Sequence, residues 1–251
     1  MLWGTFSVTH IISLILVPGM ITALFFILKK APDKIKTLVL GILSFSGIGA
    51  IIFNLAVWGS PIEYLPFHLC SLNAMVLPVA VFTRNKTLNN LLLLWSVGAC
   101  FALVVNFVQA DFEIFSWTFF FYYFPHALEL GIPILMFLLK LVKKDVKCIW
   151  STLGITLSSY TVIHFINLMI NSYTEKNGIV DYAGNIIQVN YMYSIRPENP
   201  LLDLFYSIIP HPYWYMYICF AIIAVYLGLV YLNDFIAIAK AKKQAVRQTT
   251  K

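Results

Sequence analysis

The chain has 251 residues, 60% of them hydrophobic and only 11% charged, with a formal net charge of +6 and a mean hydropathy of +0.82. Soluble domains are about 45–50% apolar and about 25% charged, so this surface is not built to face water. Composition excludes a soluble enzyme, a secreted disulfide scaffold, a disordered chain and, despite the basic balance, a nucleic-acid module. The expected fold class is all-α, a polytopic membrane helix bundle.

A crossing of the bilayer core needs about 20 apolar residues. Seven stretches qualify, at about Phe6–Leu28, Thr37–Trp58, Leu65–Thr83, Leu88–Ala110, Ile114–Leu139, Cys148–Asn171 and Pro212–Leu232. The loops between them test that count, because short cytoplasmic loops carry the lysines and arginines. In chain order the connections and the tail carry +3, −1, +2, −2, +3, −2 and +4. The sign alternates at every crossing, which predicts seven spans with the N-terminus outside and the C-terminus cytoplasmic. The first stretch lacks a basic flank before it and reads as a retained span. One transmembrane domain is expected over residues 1–236, followed by a basic cytoplasmic tail at 237–251. The connection 172–211 is long for a loop, rich in Asn, Tyr and Pro, and carries the apolar stretch Leu201–Ile209. It is expected to fold back on the outer membrane face.

Ionisable groups inside spans are costly and are candidate functional residues. They are His10 in span one, His68 and Cys70 in span three, His126 and Glu129 in span five, and His164 in span six. At about 1.5 Å of rise per residue no histidine falls clearly in the inner half, so the group reads as one site opening outward. His164, Asn167 and Asn171 share a stripe, which reads first as polar glue between helices. Glu129 is expected to be neutral or paired with His126 one turn away. Pro66 suits the first position of the third helix, placing Cys70 near a helix N-terminus whose partial charge favours a thiolate. Cys70 shares a face with Asn73. His68, two residues away, points elsewhere, so a base for Cys70 would come from another span, as His126 or His164. On composition and spacing alone, Cys70 reads as one more small buried residue. His68, His126 and His164 lack the local spacing of a metal site, and no metal or other cofactor is expected.

The segment Leu65-Pro66-Phe67-His68-Leu69-Cys70-Ser71-Leu72 is followed by Asn190-Tyr191-Met192-Tyr193, Arg196-Pro197, Leu201-Leu202-Asp203 and Pro210-His211-Pro212-Tyr213-Trp214. This ordered set resembles the YwaF family of bacterial integral-membrane proteins over almost the whole chain. That family is related to the eukaryotic transmembrane-164 acyltransferase, which is thought to move fatty acyl chains into ether-linked lysophospholipids. The resemblance implies that Cys70 is the acyl-accepting thiol and His126 its base. Glu129, His68 or His164 would orient that base, and Asn73 or Asn167 would donate to the oxyanion. Asn190, Tyr191, Tyr193 and Arg196 would hold the headgroup phosphate, although an interfacial aromatic belt explains the tyrosines equally well. Membrane phospholipids are the expected partners and the cell membrane the expected location. A proton-coupled transporter with a His/Glu relay, and a non-catalytic scaffold or receptor, are the alternatives. The few polar side chains in the inner halves of the spans weigh against transport.

Overall fold

A computed structural model describes residues 1–58, 60–105 and 109–249, with side chains for all of these except 243 and 245–249. The described residues are mainly helical: α1 Val8–Leu28, α2 Asp33–Ser44, α3 Ser46–Val57, α4 Leu69–Thr83, α5 Lys86–Val104, α6 Trp117–Leu138, α7 Cys148–Asn177, α8 Pro200–Ile208, α9 Ile218–Val230 and α10 Leu232–Thr249. Short polar side chains start several of them. Ser7, Asn85 and Ser116 each accept a hydrogen bond from a backbone N–H in the first turn, and Asn199 accepts two ahead of Pro200. These caps satisfy donors that have no partner within the helix.

Among the described residues, five helical units are long and apolar enough to cross a membrane: α1, the α2–α3 pair at Asp33–Val57, α5, α6 and α7. A sixth forms if Trp214–Val230 and Leu232–Lys242, bent by 64°, act as one. The protein is therefore a multi-pass membrane protein. The third expected span differs most: α4 has 15 residues and starts at Leu69, three residues after Pro66. Residues 106–108 of the expected fourth span and residues 250–251 of the expected tail lie outside the described residues.

Helix α6 sits centrally, packed against α1, α2, α3, α4 and α5, while α5 also meets α4 and α7. The lysine-rich segments converge at one end of this bundle. Arg84 donates to the Asp33 carbonyl and to Thr37 Oγ1. Lys86 pairs with Asp145, and Lys144 with Asp234 at 3.1 Å. At the other end residues 1–4 run antiparallel to 110–114, with Trp3 N–H on the Phe112 carbonyl at 2.8 Å.

Helix α7 has 30 residues, about 45 Å at 1.5 Å per residue, so it outruns a hydrocarbon core of about 30 Å. It absorbs the first residues of the expected loop and ends at Gly178, whose left-handed φ of 61° closes the last turn. One face of its final turns holds an extended segment. Thr174 Oγ1 donates to the Ile187 carbonyl (2.7 Å). Asn171 bonds both the N–H (2.7 Å) and the carbonyl (3.0 Å) of Val189. Asn167 does the same for Tyr191, at 3.0 and 2.8 Å. The match is metrical: alternate residues of an extended chain are about 6.7 Å apart, and four helical residues rise about 6 Å. Side-chain amides thus stand in for a neighbouring strand. Ile187, Val189, Tyr191 and Met192 then pack on Tyr160 and Ile163 of α7 and on Ile62, Leu65 and Phe67, the irregular approach to α4.

Removing one amide from this ladder strands two backbone groups, each worth about 1–3 kcal/mol when left unpaired. Asn167→Leu is expected to lower the melting temperature of the purified protein in detergent. It should also speed proteolytic cleavage within residues 178–199.

Candidate functional site

Cys70 lies in the first turn of α4 with Asn73 one turn on, and α6 carries His126 and Glu129 one turn apart. The two helices pack together, so these pairs belong to one interface. Helix α3 closes against them at Gly47. A Cβ built there would meet the Ala74 Cβ at 2.5 Å and Glu129 Oε1 at 3.1 Å, so only glycine permits this approach. Around Cys70, Glu129, Tyr122 and Tyr193 all lie within electrostatic range.

Polar groups at this interface are buried and incompletely paired. Asn73 is 1% exposed, and neither its amide nitrogen nor its oxygen has a partner; Glu129 is 3% exposed, and its Oε2 has none. Nearly all buried polar groups in native proteins are bonded, so such orphans are the places where a fold gives up stability for a ligand or for chemistry. The expected pairing of Glu129 with His126 does not form. The imidazole instead turns back along its own helix, with Nδ1 2.6 Å from the Tyr122 carbonyl. A carbonyl can only accept, so Nδ1 carries the proton, and in the neutral ring Nε2 presents its lone pair. Pro125 lacks the N–H that would bind the Phe121 carbonyl, which loosens the turn where this contact is made.

The other candidates separate into groups. His68 precedes the first turn of α4, and its Nδ1 accepts from the Met192 N–H at 3.4 Å while its ring rests against Tyr191 and Tyr193. His164 Nδ1 meets Ser194 Oγ at 3.0 Å, and its ring lies 4.9 Å from that of Tyr213. Asn167 donates to the Tyr191 carbonyl and to Ser194 Oγ (2.9 Å), which leaves no amide hydrogen for an oxyanion. His10 is apart from all of these. Its Nδ1 accepts from Phe6 N–H and its Nε2 lies 2.8 Å from the Leu103 carbonyl, in a cluster built on Trp3. The single outward-opening histidine group expected from depth alone is thus divided.

The four expected headgroup residues also divide. Asn190 bonds the Arg196 carbonyl, Glu198 and the Ile195 N–H, and Tyr191 donates to the Ile62 carbonyl. Both are spent on holding the loop. Tyr193 faces His68 and the Cys70 neighbourhood, while Arg196 is half exposed beside Gln188 and Glu198. Burial pushes the phenols of Tyr191 and Tyr193 up to about 12, so both stay hydrogen-bond donors at ordinary pH. Met192 and Tyr193 adopt left-handed backbone, φ 53° and 54°, which is strained for side chains of this size. Tyr215 secures that turn by donating to the Tyr193 and Arg196 carbonyls.

Three residues of this site carry no obvious mark in the sequence. Tyr122, four residues before His126, was open to the same face argument. Gly47 is one of 12 glycines, and nothing local distinguishes it. Ser194 meets His164 and Asn167 only through contacts spanning about 30 residues of chain.

Asn73 and Asn167, both buried, should respond oppositely to the same change. Asn73→Leu removes orphaned groups at nearly constant volume and is expected to hold or raise the melting temperature that Asn167→Leu lowers. A clear fall for Asn73→Leu, in the same detergent melt, would mean that its amide has a structural partner.

Comparison with curated proteins and with solved structures returned no match. A family model for the TMEM164 family matches residues 5–231, which takes in the approach to α4, the Cys70–Glu129 interface and the whole loop. With the match running from before α1 to the end of α9, the chain belongs to the TMEM164 family.

Proposed function

We propose that the protein is a phospholipid acyltransferase or transacylase of the cell membrane, with Cys70 as acyl acceptor and His126 as its base. One observation carries this reading. The partly buried thiol lies at the α4–α6 interface, where the Asn73 amide and Glu129 Oε2 are buried without hydrogen-bond partners. Membership of a family related to the eukaryotic transmembrane-164 acyltransferase supports the reaction class, and the ordered motifs favour its YwaF-like bacterial branch. In the same reading the chain crosses the membrane seven times, with the lysine-rich end cytoplasmic and the loop 172–211 outside.

The chemistry runs in two steps. His126 Nε2 takes the Cys70 thiol proton as sulfur attacks an ester carbonyl of a phospholipid. The carbonyl oxygen becomes an oxyanion beside the Asn73 amide, the one buried asparagine here with unspent hydrogens. The C–O bond breaks, His126 returns its proton to the leaving alkoxide, and a lysolipid departs from an acyl-thioester at Cys70. A second lysolipid hydroxyl then loses its proton to His126 and attacks the thioester. The C–S bond breaks and sulfur regains the proton. The Tyr122 carbonyl holds the imidazole tautomer throughout, a positioning role usually given to a carboxylate. Glu129 is left to bond polar atoms of the substrate, while Tyr193 and Arg196 bind the headgroup phosphate.

Thioester trapping tests this. Purified protein incubated with an alkyne-tagged phospholipid is expected to gain label that neutral hydroxylamine removes. Cys70→Ser should lose the label entirely, and His126→Ala should slow its appearance about 10²–10⁴-fold. Glu129→Gln is expected to weaken labelling without abolishing it, whereas a proton-coupled carrier would stop outright in that variant. Persistence of the label in Cys70→Ser would sink the assignment.

A further inference from the structure

Helix α3 brings one more amide to the Cys70–Glu129 interface. Burial around α3 follows the helical period: Ile52 and Ala56 are exposed, while Gly47 and Ala50 are buried. Asn54, four residues from Ala50 and seven from Gly47, continues the buried stripe. Two contacts fix how that stripe is set. At its start, a Cβ on Gly47 would meet Ala74 of α4 and Glu129 of α6, so the stripe faces the α4–α6 seam. Asn54 lies within about 20° of Gly47 around the helix.

The level of Asn54 along the seam is equally defined. One residue before it, Phe53 stacks on Phe121 of α6, with ring centroids 4.4 Å apart and planes 15° from parallel. That places Asn54 level with Tyr122, whose carbonyl bonds His126. The helical rise agrees. Asn54 is about 10 Å beyond Gly47 toward the loop end, and Cys70 about 6 Å beyond Ala74 in the same direction. The amide therefore stands about one turn from the thiol, at the mouth of the seam.

Its surroundings leave the amide nothing to bond. Among the described residues Asn54 makes backbone hydrogen bonds only, and it is half-buried, within reach of a ligand entering the seam. A polar side chain in an apolar span is costly, and the ones that persist serve a partner or a ligand. A second observation points the same way. On the same seam the Asn73 amide and Glu129 Oε2, both more than nine-tenths buried, are unpartnered too. Three helices thus present unspent hydrogen-bonding groups to one space.

We infer that Asn54 is a further substrate-binding residue, whose amide donates to the ester carbonyl next to the one that Cys70 attacks and so favours glycerolipids with two neighbouring esters. This inference rests on the acyl-transfer reading. The two esters of such a lipid sit on adjacent glycerol carbons, so with one carbonyl at the thiol the other is a few ångströms away. A donor one turn toward the mouth meets it on the headgroup side. Asn54 takes no part in making or breaking bonds; it holds the glycerol, and its effect is on affinity.

The test offers purified full-length protein two phospholipids with the same headgroup and the same alkyne-tagged acyl chain. One is a diacyl glycerolipid, and the other is built on ethylene glycol and lacks the second ester. Wild-type protein is expected to take hydroxylamine-sensitive label more readily from the diacyl lipid. Asn54→Leu should raise the concentration of diacyl lipid needed for half-maximal labelling about three- to tenfold, as expected for one neutral hydrogen bond. Labelling from the ethylene-glycol lipid should stay unchanged, and so should the melting temperature in detergent, because no internal bond is lost. If Asn54→Leu fails to fold, Asn54→Ala is used in its place. An equal effect on both lipids, or none on either, overturns the inference. No label from either lipid in folded wild-type protein overturns the acyl-transfer reading and the inference with it.

Discussion

An extended segment lying against a membrane protein has backbone groups that neither lipid nor a second strand will satisfy, and this molecule meets the demand from a helix. Thr174, Asn171 and Asn167 project from one face of α7 and bond alternate residues of 187–191 as a neighbouring strand would. Much of the rest follows from that seam. It fixes the loop, and the loop covers Ile62, Leu65 and Phe67, the non-helical approach to α4. Irregular backbone can be buried only where other groups satisfy its N–H and carbonyl groups. The late start of α4 at Leu69, and with it the position of Cys70, therefore depends on side chains a hundred residues further along.

Beneath this cover the energetics reverse. The seam satisfies its polar groups, whereas the α4–α6 interface leaves Asn73 and one oxygen of Glu129 with no partner. The difference is one of geometry. Extended backbone and a helical stripe share a common repeat and can be matched pair by pair, while two helices crossing at small residues bring their side chains close with few donors aimed at acceptors. Gly47 and Ala74 permit that close approach, and the strained turn at Met192 and Tyr193 closes the space above. In the proposed reading, these unbonded groups are held for a substrate's polar atoms.

At the opposite end the balance is electrostatic. Arg84, Lys86 and Lys144 each tie one connection to the next, so the segments that carry the excess lysines are joined by the few acids among them. Surface pairs of this kind contribute little stability singly. Their effect is positional: Lys144 bonds the Val230 carbonyl and pairs with Asp234, on either side of the bend between α9 and α10.

The sequence alone determined that this is a helical membrane protein, because too few charged residues exist to clothe a water-facing surface and apolar runs of span length repeat along the chain. Helical periodicity also made the one-turn pairs legible, Cys70 with Asn73, His126 with Glu129, and the His164, Asn167 and Asn171 stripe, since residues three and four apart share a face whatever the tertiary fold. The glue between helices expected of that stripe is instead a ladder of bonds to the extended loop. Tertiary structure alone decided what each face meets. It turned His126 toward its own helix and away from Glu129, spent Asn167 on the loop while sparing Asn73, set His10 apart, and delayed α4 beyond Pro66. Those outcomes rest on contacts between residues tens to more than a hundred positions apart, and no local period encodes which partner a buried polar group will find.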